Sequence, residues 1–223
     1  NYPNMPTGGP ATEELYAKLV DFGRSHGILI CNDNPYSFIL NDNPLSILAQ
    51  PGAKECCLEL NSLSKAHNMA GWRVGMVAAD ADVIAQILKV KSQMDSGMYK
   101  PLQLAAVEAL RQGPEWFEQL NAEYMRRRIL AGEIFDMLRA EYDHNSAGMF
   151  LWGKVTECHF ERAERVEKSL GEIVSDKVLY EAGVFITPGF IFGKNGEQYI
   201  RISLCAKPEV LQQAAGRISR IIR

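Results

Sequence analysis

Residues Asn61–Gly75 read NSLSKAHNMAGWRVG, directly after an apolar run, ECCLEL (Glu55–Leu60), that predicts a buried strand. Lys65 then follows a strand end, where a lysine is a poor choice for stability. Taking an ammonium out of water is costly unless it is paired or neutralised. The chemical use of such a residue is different: a lysine with a lowered pKa attacks a carbonyl carbon. Ser62 and Ser64 put short hydroxyls beside it. Arg73, flanked by Gly71 and Gly75, can bring a planar donor fork to a phosphate while the glycines let the backbone come close. An aldehyde carrying a phosphate would suit all of these groups.

Outward from this stretch, strands and helices alternate. GILICND (Gly27–Asp33), ECCLELNS (Glu55–Ser62) and VGMVAAD (Val74–Asp80) read as short strands. Ala11–Ser25 reads as a helix on Leu15, Leu19, Val20 and Phe22. Ala81–Gln93 reads as another, with Val83, Ile84, Ile87, Leu88 and Val90 as its buried face. This order predicts an α/β fold with a largely parallel sheet. Pro101–Arg111 is a helix stopped by Gly113-Pro114. A long helix follows, with Phe117, Leu120, Tyr124, Ala131, Ile134 and Leu138 on one face. Its triplet Arg126-Arg127-Arg128 reads as a solvated face in preference to an anion site. Past Tyr142, GMFLWGKV (Gly148–Val155) and YIRISLC (Tyr199–Cys205) predict strands, and Arg162–Ala182 one or two helices. The last helix begins at Pro208, with Leu211, Ala214, Ala215, Ile218 and Ile222 as its stripe. The expected domain boundary lies in the long helix, giving domains 1–120 and 121–223.

Upstream, CNDNPY (Cys31–Tyr36) ends the first strand. Asp33 and Tyr36 would stand at its C-terminal edge, where ligands bind in α/β sheets. An aspartate there can hold a ring nitrogen protonated, and a phenol can donate to a ring oxygen. Alone, the pair is a very weak signal, and an Asx-turn is the better reading of Asp33.

The bulk numbers exclude other classes. The 223 residues carry a net charge of −3, which invites neither nucleic acid nor an anionic membrane. No apolar run approaches the roughly 20 residues a bilayer needs. The five cysteines (Cys31, Cys56, Cys57, Cys158 and Cys205) are odd in number and lack a C-x-x-C, which reads as reduced thiols of a cytoplasmic protein. Four scattered histidines give no metal-ligand spacing, so no metal is expected.

Four motifs carry a resemblance. NSLSKAHNMAGWRVG resembles the pyridoxal-phosphate lysine segment of class I/II aminotransferases, S-x-S-K followed by G-x-R-x-G. NYPNMPTGG (Asn1–Gly9) is similar to the family's N-P-T-G turn, NDNPY to its D-x-x-Y, and TPGFIFGKNGEQYIRISL (Thr187–Leu204) to its P-G-x-x-F-G … R-x-S segment. The resemblance implies the fold-type I architecture: the later part of a mostly parallel large-domain sheet, then a complete C-terminal α/β small domain. It implies pyridoxal 5'-phosphate as cofactor and amino-group transfer between an α-amino acid and a 2-oxo acid by a homodimer. Lys65 would bond the cofactor and carry the substrate α-proton. Asp33 would pair with the pyridinium nitrogen and Tyr36 with the phenolic oxygen. Ser62, Ser64 and Arg73 would hold the phosphate, and Arg201 the substrate α-carboxylate.

Two departures stand out. Where the family has asparagine before P-T-G, this chain has Met5, with Asn4 one position earlier. Methionine cannot donate the expected hydrogen bond, so Asn4 is expected to reach the cofactor, or Tyr36 to serve its oxygen alone. The family's segment before this turn also has no counterpart here, so the expectation is a C-terminal fragment, inactive in isolation. The same residues would serve a lyase or decarboxylase of this fold, or a sensor domain attached to a DNA-binding region.

Overall fold

The computed structural model describes residues 1–156 and 168–222. The chain forms two units, Asn1–Asn4 with Gly9–Gln119, and Met5–Gly8 with Leu120–Arg223.

The first unit opens with helix α1 (Glu13–His26). Thr12 caps it, its hydroxyl accepting from Leu15 N at 3.1 Å, and Gly27 ends it at φ 63°, in the left-handed region. Tyr16, Val20 and Gly23 are buried at helical spacing. Tyr16 and Val20 pack with Ile47, Ala53, Cys56 and Cys57 into a cluster against strands β1 (Ile30–Asp33) and β2 (Cys57–Ser62). These two strands pair in parallel, with Asp33 opposite Leu60. At the floor of the sheet Asn32 donates to the Tyr16 phenol (3.1 Å) and to Glu59 Oε2 (3.0 Å), which also accepts from Ile47 N at 3.0 Å.

After β2 the chain makes one short helix, α2 (Leu63–Ala66), and a 3-10 turn (Ala70–Trp72), then returns as β3 (Gly75–Ala78). β2 and β3 are antiparallel, with Ser62 opposite Gly75. Within these three strands one pairing is parallel and one antiparallel, where a largely parallel sheet is expected from the sequence. The reason is the connection Leu63–Val74, which has no crossover helix long enough to carry the chain back to the starting edge.

Helix α3 (Ala81–Met94) forms over the expected stretch, but none of its residues is buried. Leu88 and Val90 are 57% and 64% exposed, against the buried face that periodicity predicts. Periodicity reports which side of a helix is apolar, not whether this chain covers it. Helix α4 (Lys100–Leu110) buries Ala106 against Leu63, Met69 and Val74, a second cluster under the lysine-bearing turn.

The long helix α5 (Pro114–Met137) starts in the first unit and continues into the second. In the second unit its Ala131, Ile134 and Phe135 are buried. They meet a four-stranded antiparallel sheet of order β4-β5-β7-β6: β4 (Ala140–Tyr142), β5 (Phe150–Val155), β6 (Thr187–Pro188) and β7 (Tyr199–Ser203). β4 and β6 are too short for a periodic signal. Gly153 sits under the Phe135 ring, where a Cβ would lie 2.8 Å from Cε2. Helix α6 (Leu170–Ala182) occupies the later part of the predicted Arg162–Ala182 segment; Arg162 and Cys158 lie outside the described residues. Helix α7 (Pro208–Ile218) buries Leu211 and Ile218 and stops before Ile222.

The arginine triplet is not one solvated face. Arg126 is exposed, but Arg127 donates to Leu204 O at 3.1 Å and pairs with Glu123. Arg128 is 6% exposed and donates to the carbonyls of His144 and Ser146. Sequence adjacency hides this, because successive helical residues point about 100° apart.

Candidate functional site

Strand direction brings four of the sequence-predicted residues to one edge of the first unit's sheet. β1 and β2 run parallel and end at Asp33 and Ser62. β3 runs the other way and begins at Gly75 opposite Ser62, so the residues just before it, Arg73 included, lie at that same edge. The α2 turn carrying Lys65 starts there.

Local chemistry shapes the turn. Ser62 has extended backbone and caps α2, its hydroxyl accepting from Ser64 N at 3.1 Å and donating to Ser64 Oγ at 2.9 Å. Leu63 N donates to Val74 O at 3.2 Å and Met69 N to Leu63 O at 3.2 Å, closing the loop at its base. Leu63, Ala66, Met69 and Val74 point inward and are buried, which leaves Lys65 half-buried on the other side. Among the described residues no hydrogen bond or ion pair involves the Lys65 ammonium.

Two residues of this loop occupy the left-handed region without being glycine, Asn68 at φ 53° and Arg73 at φ 55°. Such a conformation costs a bulky residue on the order of 1–2 kcal/mol. Arg73 is exposed, and its Nη1 donates to Ala70 O at 2.7 Å. It borders a surface cavity of about 740 Å³, with Gly71, Trp72, Tyr99 and Leu102 in its lining. The flanking glycines differ. A Cβ on Gly71 would meet nothing within 4 Å, whereas one on Gly75 would lie 2.8 Å from Asn61 O. Gly71 therefore leaves open space beside Arg73, and Gly75 serves the close pairing of β2 with β3.

Asp33 is exposed and Tyr36 half-buried. The segment between them is tied to β2 by Asn34 N donating to Leu60 O at 2.8 Å, and turned by Ile39 N donating to Tyr36 O at 3.1 Å. Asn4 is half-buried, its carboxamide donating to Asn1 Oδ1 at 3.2 Å.

Arg201 belongs to the second unit. It lies half-buried on β7, its guanidinium carbon 4.3 Å from the centroid of Phe150 and 4.6 Å from that of Phe192. Met5 Sδ accepts from its Nη1 at 3.2 Å. A cavity of about 500 Å³ beside it is lined by Phe185, Thr187, Ile202, Val210 and Arg217 among others.

Sequence reasoning missed the aromatic residues around these groups. Trp116 Nε1 donates to Ala66 O at 2.9 Å, and the rings of His67 and Trp116 lie parallel within 10° at 6.5 Å. Burial pushes the His67 imidazole below its ordinary pKa, and its Nδ1 is buried with no hydrogen-bond partner among the described residues. The only sequence signal was the aromatic pair in PEWF (Pro114–Phe117). Phe192 lay inside a quoted motif, and Phe150 in a predicted strand.

The profile of the family described as "Aminotransferase class I and II" matches residues 1–218. Among curated proteins, LL-diaminopimelate aminotransferases of Maridesulfovibrio salexigens and Aquifex aeolicus are 38% and 39% identical. Each alignment covers 99% of this chain and 55% of the relative, so the chain spans about half the length of the curated relatives it matches. Among solved structures, BacF of Bacillus subtilis superposes with a TM-score of 0.87 at 32% identity, covering 100% of this chain and 55% of that one. A probable N-succinyldiaminopimelate aminotransferase of Thermus thermophilus gives 0.84 at 32% identity, over 99% of this chain and 57% of that one.

Proposed function

Since this chain belongs to the class I and II aminotransferases, we propose that the intact protein transfers an amino group between an α-amino acid and a 2-oxo acid, using pyridoxal 5'-phosphate. The observation that carries this reading is the half-buried Lys65 amine, without an ionic partner among the described residues, on a turn that shares a sheet edge with Asp33, Ser62 and Arg73.

These residues fit the cofactor. The paired hydroxyls of Ser62 and Ser64, the Arg73 fork and the open space at Gly71 suit a phosphate. When bound, the cofactor supplies an electron sink for a substrate α-carbon that has lost its proton. Lys65 Nζ takes that proton and returns it at the acceptor atom. Asp33 holds a proton on the ring nitrogen, and Tyr36 donates to the ring oxygen. Asn4 is the remaining donor assigned to the cofactor. The planar fork of Arg201 takes the α-carboxylate. The names of the relatives make LL-diaminopimelate the first donor to test.

The reading places the enzyme in the cytoplasm, with no nucleic-acid or membrane partner, in keeping with net charge −3 and free Cys31 and Cys205. A homodimer is part of the proposal, as the family resemblance implies.

Incubation of the intact protein with cofactor, LL-diaminopimelate and 2-oxoglutarate is expected to yield glutamate, and Lys65→Ala to abolish it. Release of ammonia without any 2-oxo acid would replace transfer by a lyase reaction.

A further inference from the structure

The Lys65 turn and the Asp33–Tyr36 segment are separate stretches of chain, yet both are gripped by the first turn of α5. Phe117 sits with its ring centroid 5.2 Å from Phe38, tilted by 34°, and 5.5 Å from His67, edge-on at 79°. Phe38 lies two residues beyond Tyr36, and His67 two beyond Lys65. Trp116 completes the grip through its hydrogen bond to Ala66 O at 2.9 Å and its parallel approach to His67. Trp116 and Phe117 are half-buried, and Phe38 is 38% exposed. The rings of Trp116 and Phe117 thus bridge the two segments from the first turn of α5.

We propose that Phe117, supported by Trp116, is a positioning residue that holds Lys65 in fixed register with Asp33 and Tyr36. The inference rests on the functional reading above, because it gives that register its purpose. The base of the lysine turn is closed by backbone bonds to Val74 and Leu63. Those bonds and the packing of Leu63, Met69 and Val74 on α4 hold the base of the turn, and the aromatic contacts tie its far side to the β1 segment. Contacts to one ring from both sides restrain the spacing between the two segments. A misplacement of about 1 Å between reacting groups can cost on the order of a hundredfold in rate, so such a restraint has a measurable consequence.

The test uses the intact protein with Phe117→Leu, Phe117→Tyr and Trp116→Phe. Each is mixed with pyridoxal 5'-phosphate and borohydride, and the pyridoxyl label is mapped by peptide mass spectrometry. In this labelling Nζ of Lys65 bonds the aldehyde carbon, water leaves, and hydride from borohydride reduces the resulting double bond. Thermal midpoints are recorded beside the labelling rates. Phe117→Leu is expected to slow labelling of Lys65 by about tenfold at an unchanged midpoint, and Phe117→Tyr, which keeps the ring, to stay within about twofold of the parent. Trp116→Phe keeps a ring but loses the bond to Ala66 O, and is expected to fall between them. Labelling of Phe117→Leu at the parental rate would overturn the positioning role and leave the functional reading intact. A loss that follows a lowered midpoint and is not rescued by Phe117→Tyr would reduce the ring to a packing role. Absence of label at Lys65 in the parent protein would overturn the functional reading itself.

Discussion

Met5 Sδ stands 3.2 Å from Nη1 of Arg201, and the same guanidinium is held between the rings of Phe150 and Phe192. The two rings fix its plane, while the thioether offers only a weak acceptor. The plane is what a bidentate grip on a carboxylate requires. Arg201→Lys keeps the charge and loses both fork and stacking surface. We expect kcat/KM for the amino donor to fall by about a hundredfold, chiefly through KM. Met5→Leu, which removes only the weak acceptor, should stay within about threefold. Steady-state kinetics with both substrates varied would check the pair.

The first unit is expected to weaken in alkali. Burial pushes the Cys57 thiol up to about 12, with Cys56 adding to the effect, and the Tyr16 phenol to about 12 as well. Both groups bind their protons more tightly folded than unfolded. Their stabilisation is complete below the unfolded pKa values and is lost as pH rises through the folded ones. The denaturant midpoint should therefore hold steady up to about pH 9 and decline from there toward 12. Cys57→Ala should delay the onset by removing the lower of the two unfolded-state titrations. Urea titrations between pH 7 and 11 by intrinsic fluorescence would show whether the slope moves.

What was legible in the sequence was chemistry at strand ends. Asp33 and Ser62 are polar groups where strands stop, Lys65 follows in the next turn and Arg73 comes just before β3 starts, and their meeting at one edge follows once the strand directions are known. Strand direction itself was harder to read: the hydrophobic pattern of β3 is the same whether it runs with β2 or against it. The apolar stripe of α3 was visible, but its exposure depends on neighbours that a local pattern does not report. Arg128 looked like its neighbours Arg126 and Arg127, because what separates them is a partner carbonyl 16 residues away at His144. The bond from Trp116 to Ala66 spans 50 residues and leaves no local trace.

Arg128 is a buried tie between α5 and the following loop in the second unit. Its guanidinium is 6% exposed and bonds the carbonyls of His144 and Ser146, in the loop whose Ala147 N donates to Gly8 O at 2.8 Å. Arg128→Ala would strand the buried carbonyl of Ser146, free the more exposed one of His144 and open a cavity, with an expected cost of about 3 kcal/mol. Arg126→Ala, on an exposed side chain with one long ion pair, should cost less than about 0.5 kcal/mol. Two-state urea unfolding of the two variants would separate a solvated triplet from a structural arginine.

Arg73 combines backbone strain with a proposed phosphate contact, so its replacement should split stability from binding. Its φ of 55° is one that glycine adopts freely. Arg73→Gly gains about 1 kcal/mol from relief of that conformation and loses an exposed bond to Ala70 O of similar worth. The thermal midpoint is therefore expected to change by less than about 3 °C, while the affinity for pyridoxal 5'-phosphate falls by about tenfold or more. Gly75→Ala should do the reverse, since its Cβ would press on Asn61 O at 2.8 Å and unsettle the β2–β3 pairing without removing a phosphate donor. Equilibrium dialysis with the cofactor, run beside thermal melts, tests both halves. A destabilised Arg73→Gly with unchanged affinity would mean that the strained turn serves the fold and not the phosphate.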